Sequence, residues 1–225
     1  HRVHGVAADA NGNIAVATSL STGGQVFNDG FYLNSAGNVG WAQGGIAGSA
    51  HTATAFMPNG SVVFGGMIDV SIAPLTGVYA GVLEHYTNDG TAIPVPFAPN
   101  GRFALCDVCT AQKLSDIDLQ PNGLVLLTGP HQQNFDTNDE PFAVRLAADL
   151  SADANFGNAG ISLLSFDALG GNPADISARI YAAKGHVFMV GQHGPMTKNV
   201  PSAIPVIARL DSSDVIFQDG FELFD

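Results

Sequence analysis

A turn centred on glycine, followed by a run of apolar residues, recurs along the chain and limits what it can fold into. The turn glycines are Gly12, Gly60, Gly123 and Gly185, which lie 48, 63 and 62 residues apart. At the second turn, for example, Pro58-Asn59-Gly60 is followed by Val62-Val63-Phe64. Glycine supplies the positive φ that a tight hairpin turn requires, so each turn predicts a pair of antiparallel strands. The spacing therefore predicts a repeat protein built from hairpins.

A second landmark, an aromatic residue four positions before a glycine, keeps nearly the same period. It occurs at Trp41, Phe97 and Phe156, and in a shortened form at Phe217, with spacings of 56, 59 and 61 residues. A third apolar segment lies between the two landmarks and is clearest at residues 142–146 and 206–210. Each unit is therefore interpreted as strand, Asn-Gly turn, strand, variable loop, strand, aromatic-Gly turn, strand.

Four short antiparallel strands per unit are typical of a β-propeller blade. We therefore predict an all-β, β-propeller-like fold of about four blades of four antiparallel strands. A single repeat domain is expected over residues 1–213, with repeats at about 1–50, 51–110, 111–170 and 171–213 and a tail over 214–225. The first repeat starts at its first strand and the last stops after its third. An incomplete ring, completed by another chain, is therefore part of this prediction, because open strand edges favour pairing.

Residues 142–160 contain an arginine-leucine strand, a polar turn and the motif Phe-Gly-Asn-Ala-Gly, and Pro121-Asn122-Gly123 forms a Pro-Asn-Gly turn. This combination resembles the delta-60 repeat of bacterial secreted proteins. The segment Val-Ile-Phe-Gln-Asp-Gly-Phe-Glu at residues 215–222 resembles a short C-terminal tail of secreted gammaproteobacterial proteins. The resemblance implies repeated β-blades and export. It implies no reaction, because the family has no shared catalytic residues.

The acidic composition bears on partners and location. Eight Lys and Arg against 20 Asp and Glu give a net charge of −12, which disfavours a nucleic-acid partner because phosphates require a basic surface. No apolar run approaches the roughly 18 residues of a membrane span. The scarcity of lysine and the acidity favour a secreted protein, extracellular or at the cell surface, with the periplasm as the alternative.

The sharpest local motif is the pair Cys106 and Cys109. Cys-x-x-Cys is used in redox pairs and as half of a metal site. A thioredoxin-like pair needs a helix start, whereas this pair follows a strand-like run, and haem attachment would need histidine where Thr110 stands. Zinc would need further ligands, and the chain has only two cysteines. We therefore predict a small disulfide that ties a blade turn.

His1 and His4 are the candidate metal ligands. An N-terminal histidine that clamps copper with a second histidine is the arrangement of lytic polysaccharide monooxygenases, but their motifs around the second histidine are not recognisable here. Asp9-Ala-Asn-Gly-Asn13 begins like a calcium loop, but Ile14 and Leu20 occupy positions where an EF-hand requires glycine and glutamate. We predict no cofactor, with copper and calcium as the alternatives. The other histidines are His51, His85, His131, His186 and His193.

Asp116 and Asp118 lie two apart on a predicted strand and so face the same way. Paired carboxylates perform glycoside hydrolysis, whereas the simpler interpretation is two solvated carboxylates at a blade rim. With no complete catalytic set, the sequence favours a secreted, non-enzymatic binding or surface-interaction module for a protein or glycan ligand. The alternatives are a subunit of a self-assembling extracellular homopolymer, hence a homo-oligomer, and a metal-dependent polysaccharide-active enzyme that uses the N-terminal histidine.

Overall fold

The strands form four antiparallel sheets in chain order. The computed structural model describes residues 1–70, 78–105, 109–133, 139–164, 175–183, 186–194 and 204–210, and within these ranges it contains 17 strands, one short 3-10 turn and no α-helix. Sheet 1 consists of β1 (Arg2–Ala8), β2 (Ile14–Thr22), β3 (Gln25–Leu33) and β4 (Val39–Ala47). Sheet 2 consists of β5 (Ser49–Phe56), β6 (Val62–Asp69), β7 (Tyr79–Tyr86), β8 (Ala92–Ile93) and β9 (Arg102–Phe103).

Sheets 3 and 4 continue the pattern, and a short strand joins sheets 2 and 3. Sheet 3 consists of β11 (Asp116–Leu119), β12 (Val125–Gln133), β13 (Glu140–Leu146) and β14 (Ile161–Leu163). Sheet 4 consists of β15 (Asp175–Ala183), β16 (His186–His193) and β17 (Ile204–Leu210). β10 (Cys109–Gln112) pairs with both β7 and β12, so sheets 2 and 3 are continuous through it.

Each sheet packs its face on the next, and three apolar cores fill the spaces between them. Core residues such as Phe64 lie between sheets 1 and 2, Leu127 between sheets 2 and 3, and Met189 between sheets 3 and 4. In the described ranges, no comparable packing joins sheet 4 back to sheet 1. The predicted all-β, β-propeller-like fold is confirmed, as an open succession of four sheets.

One turn geometry recurs at the hairpins. In the described part of the chain it occurs at residues 9–13, 34–38, 57–61, 87–91, 120–124 and 147–151. The first residue donates its N–H to the carbonyl of the fifth, and the fourth donates its N–H back to the carbonyl of the first. Gly12, Gly60 and Gly123 occupy the fourth position with φ of 82°, 81° and 84°. Gly185 lies outside the described residues.

Leu150 occupies the fourth position of the last of these turns, with φ of 62° and a completely buried side chain. Left-handed φ costs a branched residue roughly 1–2 kcal/mol, while burial of leucine is worth about 2–5 kcal/mol against alanine. We expect Leu150→Ala to lower the free energy of unfolding by about 2–5 kcal/mol. Leu150→Gly should cost about 1 kcal/mol less than Leu150→Ala, because glycine relieves the left-handed strain.

Urea denaturation of both variants measures this difference. Leu126, which is equally buried but lies within β12, is the matched control. There the glycine variant should be less stable than the alanine variant, because glycine weakens a strand. The same order of stability at both positions would show that no strain is stored at Leu150.

The landmark aromatics fill the spaces between sheets. Phe97 packs against the core between sheets 2 and 3, and Phe156 belongs to the core between sheets 3 and 4. Trp41 stacks on Tyr32 with 5.6 Å between ring centroids, against the core between sheets 1 and 2. Trp41 lies within β4 rather than at a turn, because the second hairpin turn of sheet 1 is formed earlier, at residues 34–38. Phe217 lies outside the described residues.

Candidate binding surfaces

The exposed apolar side chains are concentrated on the two end sheets. Among the described residues, every large apolar side chain that is exposed belongs to sheet 1 or sheet 4. In sheet 1 these are Val3, Val6, Val26, Val39 and Ile46, and in sheet 4 they are Tyr181 and Ile207. Sheets 2 and 3, which have a neighbour on both sides, contribute none in the described ranges. A monomer that exposes such patches commonly uses them for binding.

The turn glycine fixes which way each following residue points. Residues two and four positions after it face the preceding sheet: Val62 and Phe64 enter the core with sheet 1, and Val125 and Leu127 enter the core with sheet 2. Residues three positions after it face the following sheet, as Val63 and Leu126 do. This alternation is the two-residue period of a strand, repeated in register from sheet to sheet.

Sheet 1 presents an apolar face that the other described sheets do not cover. Ala15 and Ala17 face sheet 2 and are buried, so Ile14 and Val16 point the opposite way. The cross-strand partners of these two residues extend the surface, since Val6, Val16 and Phe31 form one row and Ile14, Leu33 and Val39 form the next. Val6 is 61% exposed and Val39 is 63% exposed. We call these six residues the leading face.

Sheet 4 presents a second uncovered face at the other end of the series of described sheets, directed away from sheet 3. Val187 and Met189 are buried against sheet 3, so Phe188 and Val190 point away from it. Tyr181, Phe188 and Arg209 form one row across the sheet, and Arg179, Val190 and Ile207 form the next. Tyr181 stacks on Phe188 with 5.5 Å between ring centroids, and Ile207 is 50% exposed. We call these six residues the trailing face.

Charged side chains lie near both faces. Asp29 lies beside Phe31 on β3, and its Oδ2 is 3.4 Å from Nδ1 of His1. Burial raises the pKa of the Asp29 carboxyl above its ordinary value, although the nearby positive charges of His51 and the N-terminus oppose the increase. The trailing face contains two arginines, Arg179 and Arg209, both exposed. Nη1 of Arg179 lies 4.0 Å from Oδ1 of Asp116, and His1 lies beside Asp29, so the difference in charge between the two faces rests mainly on Asp29 and Arg209.

A buried polar network fastens sheet 1 to sheet 2. Nε2 of His51 lies 2.9 Å from Oε2 of Glu84 and 3.0 Å from the amide nitrogen of Asn28, whose oxygen accepts the N–H of Ile46. The His51 ring stacks on Phe64 at 5.1 Å. Because His51 is completely buried, it has no surface with which to touch a ligand, and the network is structural.

A groove of about 390 Å³ opens on sheet 2 between β7, β8 and the 3-10 turn Pro99–Gly101. Among the described residues that line the groove, Glu84 is the only acidic one, and its Oε2 accepts a 3.2 Å hydrogen bond from the hydroxyl of Tyr86. Burial raises the pKa of that hydroxyl, and the Glu84 charge raises it further. Glycosidases use two carboxylates, and this groove supplies one that is already bonded.

In the described part of the chain, neither of the candidate metal ligands, His1 and His4, belongs to a group of residues that could hold a metal ion. Nε2 of His4 is 2.8 Å from the Ser19 hydroxyl, and burial, followed by the charge of Arg2, lowers the pKa of its ring. His1 contacts Asp29 as described. No group of three or more His, Cys, Asp or Glu among the described residues is placed to hold an ion. Cys106 lies outside those residues and only the backbone of Cys109 is described, so the predicted disulfide lies outside them too.

Asp116 and Asp118 are structural rather than solvated, and the expectation of a solvated pair is wrong. Oδ2 of Asp116 accepts the N–H of Ile180, and Oδ2 of Asp118 accepts the N–H of Ala182, each at 2.9 Å. Burial raises the pKa of Asp116. The two carboxylates therefore tie β11 to the edge of β15. At the first turn, Oδ1 of Asp9 similarly accepts two backbone N–H groups within the hairpin.

In the described ranges, no helix is long and apolar enough to cross a membrane.

Comparisons with known proteins give information on the fold only. No protein-family model matches the chain, and no curated protein matches it. The chain resembles the crystal structure of polysaccharide lyase Uly1 with a TM-score of 0.50 and 8% identity, over 96% of this chain and 47% of that one. It thus spans about half the length of the lyase. At such low identity, the likeness shows a shared fold alone.

Two further solved structures are more distant in shape. A protein of unknown function from Bacteroides caccae has a TM-score of 0.44 and 12% identity, over 94% of this chain and 78% of that one. A Bombyx mori GH32 β-fructofuranosidase mutant in complex with sucrose has a TM-score of 0.46 and 9% identity, over 93% of this chain and 47% of that one.

Proposed function

We propose that the protein is a non-enzymatic interaction module whose leading and trailing faces dock onto β-sheets of protein partners. The observation that supports it is the placement of the exposed apolar side chains, which among the described residues fall only on the two end sheets. The acidic, lysine-poor composition supports a secreted setting for such a module.

The packing at the internal interfaces supports this proposal. At the positions two and four residues after the turn glycine, sheets 2, 3 and 4 all place side chains that are buried against the preceding sheet. Sheet 1 has Ile14 and Val16 at the same positions. Removing apolar surface from water yields about 25 cal/mol per Å², and stacked sheets pack about 10 Å apart with interdigitated side chains. A sheet laid on either end face would gain that energy.

Carbene footprinting tests whether the faces are open. Each face is labelled in a variant whose opposite face is blocked: Ile207→Lys for the leading face and Val6→Lys for the trailing face. In the monomeric fraction we expect strong labelling of Val39 in the first variant and of Tyr181 in the second, because they are 63% and 42% exposed. Leu127, which is completely buried, is the internal reference. Labelling of the face residues at the level of Leu127 would show that the chain covers its own faces, and the proposed function would then be wrong.

A further inference from the structure

We propose that the partner of the end faces is a second copy of this chain, bound head to tail, with the trailing face of one copy on the leading face of the next. This inference rests on the proposed docking function and adds the identity and the orientation of the partner.

The direction of the internal interfaces supports this pairing. At each interface, one sheet contributes the face directed toward the next sheet in chain order, and that next sheet contributes the face directed back toward it. Val63 of sheet 2 and Val125 of sheet 3, for example, enter the same core in this way. The trailing face is of the first kind and the leading face is of the second. Head-to-tail contact between two copies therefore reproduces an arrangement that the chain already forms three times.

Pairing of like faces lacks this match. Two trailing faces would bring Arg179 and Arg209 of one copy against the same arginines of the other, and like charges in close contact cost energy. In the head-to-tail pairing, the same arginines approach the side of the molecule that carries Asp29.

The trailing face contains an exposed arginine whose counterpart in the preceding repeat is buried. Arg145 of β13 and Arg209 of β17 are the fourth residues of two matching segments, Phe-Ala-Val-Arg-Leu and Val-Ile-Ala-Arg-Leu. Arg145 lies at the interface between sheets 3 and 4 and is 5% exposed, whereas Arg209 lies on the trailing face and is exposed. A sheet docked on the trailing face would give Arg209 an environment closer to that of Arg145.

The size of the smaller face limits the contact. The four strands of sheet 1, spaced about 4.8 Å apart with nine residues in β2, make a face of roughly 20 by 30 Å, and the three described strands of sheet 4 make one of roughly 15 by 30 Å. These flat areas, to which side-chain relief adds, place the contact at the lower end of the range around 800 Å² per partner that is usual for an interface. Because the contact joins two different faces, copies add in one direction and form a ring or a chain according to the rotation between them.

Two face-blocked variants test the proposal by complementation. Val6→Lys blocks the leading face and Ile207→Lys blocks the trailing face; both side chains are at least half exposed, so folding is spared. Light scattering after size exclusion should show an assembled wild type and two monomeric variants. Each lysine should weaken self-association by at least about 30-fold, the effect of losing a hot-spot residue. A one-to-one mixture of the variants should give a species of twice the monomer mass, because each supplies the face that the other lacks.

The control is Val26→Lys. Val26 is 41% exposed on sheet 1. On β3 it is offset by an odd number of residues from Phe31, so its side chain points to the side of the sheet opposite to the leading face. This variant should therefore assemble as the wild type does. Assembly of Ile207→Lys on its own would show pairing of leading faces and overturn the proposal, as would a mixture that stays monomeric. A wild type that stays monomeric while its faces are labelled would exclude the second copy and leave the docking function intact. Faces protected from label in the monomer would remove both.

Discussion

Replacement of Gly129 by alanine is expected to lower the free energy of unfolding by at least about 3 kcal/mol, the upper range for overpacking. Gly129 lies in β12 opposite Phe142. A Cβ at this position would lie 1.8 Å from the carbonyl oxygen of Lys113 and 2.9 Å from its carbonyl carbon. The obstacle is backbone, which cannot rotate aside like a side chain. The chain just before β11 must move, and the hydrogen bond from the N–H of Lys113 to the carbonyl of Pro130 would be lost with it.

Gly123→Ala in the preceding turn is the matched control. Gly123 has φ of 84°, and its nearest contact for an added Cβ is 3.8 Å away. It should therefore cost only the left-handed penalty of roughly 1–2 kcal/mol. Gly66→Ala should behave like Gly129→Ala, because its Cβ would lie 1.8 Å from the carbonyl oxygen of Ala50. Urea denaturation gives all three values. Equal losses at Gly123 and Gly129 would contradict the backbone contact.

The positions of Gly66 and Gly129 also follow a pattern that is visible in the sequence. Gly66, Gly129 and Gly191 each lie six residues after a turn glycine, so their spacing repeats the period of the turns. In sheets 2 and 4, the strand that precedes the turn has a register shift near this position, between His51 and Ala53 and between Ser177 and Arg179 respectively. A periodic glycine inside an apolar run is a sequence signal for such a close approach, and it could have been found together with the turns.

The order of strands was predictable from the sequence because turn chemistry and strand alternation are local. The turn glycines predicted hairpins, and the described turns at Gly12, Gly60 and Gly123 have the positive φ that the prediction required. In sheet 1 the local signal failed: Trp41 matched the aromatic-glycine spacing, yet it lies in the middle of β4. The second hairpin of that sheet turns at Gly37 instead, because the Asn34 side chain caps the turn by accepting two backbone N–H groups.

The contacts between sheets could not be predicted in the same way. Asp116 and Asp118 bond to N–H groups 64 residues away, and His51 reaches Glu84 across 33 residues. The separation of 64 residues is close to one repeat, but which side chain meets which backbone group depends on how the sheets pack, and no local turn or strand pattern specifies it. The leading and trailing faces could be predicted in part. The sequence shows apolar residues on both sides of β2 and β16, but only the sheet order shows that, among the described elements, sheets 1 and 4 each have no neighbouring sheet on one side.

The buried ion pair of sheet 3 is the second place where a single change should have a large effect. Nε of Arg145 is 2.8 Å from Oδ2 of Asp153, its Nη2 donates to the carbonyl of Asn155 at 3.2 Å, and its guanidinium lies 4.9 Å from the ring centroid of Phe156. The side chains are 7% and 12% exposed. Burial opposes ionisation of Asp153, but the N–H of Asn155 and the charge of Arg145 outweigh it, so the pKa of the carboxyl is lowered.

Asp153→Ala is therefore expected to destabilise the protein by about 3–5 kcal/mol, because it leaves a guanidinium buried without its counter-charge. Since the folded-state pKa of Asp153 is lowered, its contribution is present above the ordinary aspartate pKa and disappears as the pH falls through the lowered value. The difference between wild type and variant should thus shrink in acid. Asp149→Asn is the matched control: Asp149 lies in the adjacent turn, accepts the N–H of Ser151, and is exposed, so asparagine should cost less than about 0.5 kcal/mol.

A double-mutant cycle with Arg145→Met separates the pair from the packing of its two side chains. Methionine keeps much of the apolar contact of Arg145 with Phe156 and removes the charge. If the salt bridge carries the effect, Asp153→Ala should be clearly less damaging in the Arg145→Met background, with a coupling of about 1–3 kcal/mol. Equal losses in the two backgrounds would instead place the role of Asp153 in its hydrogen bond to the N–H of Asn155.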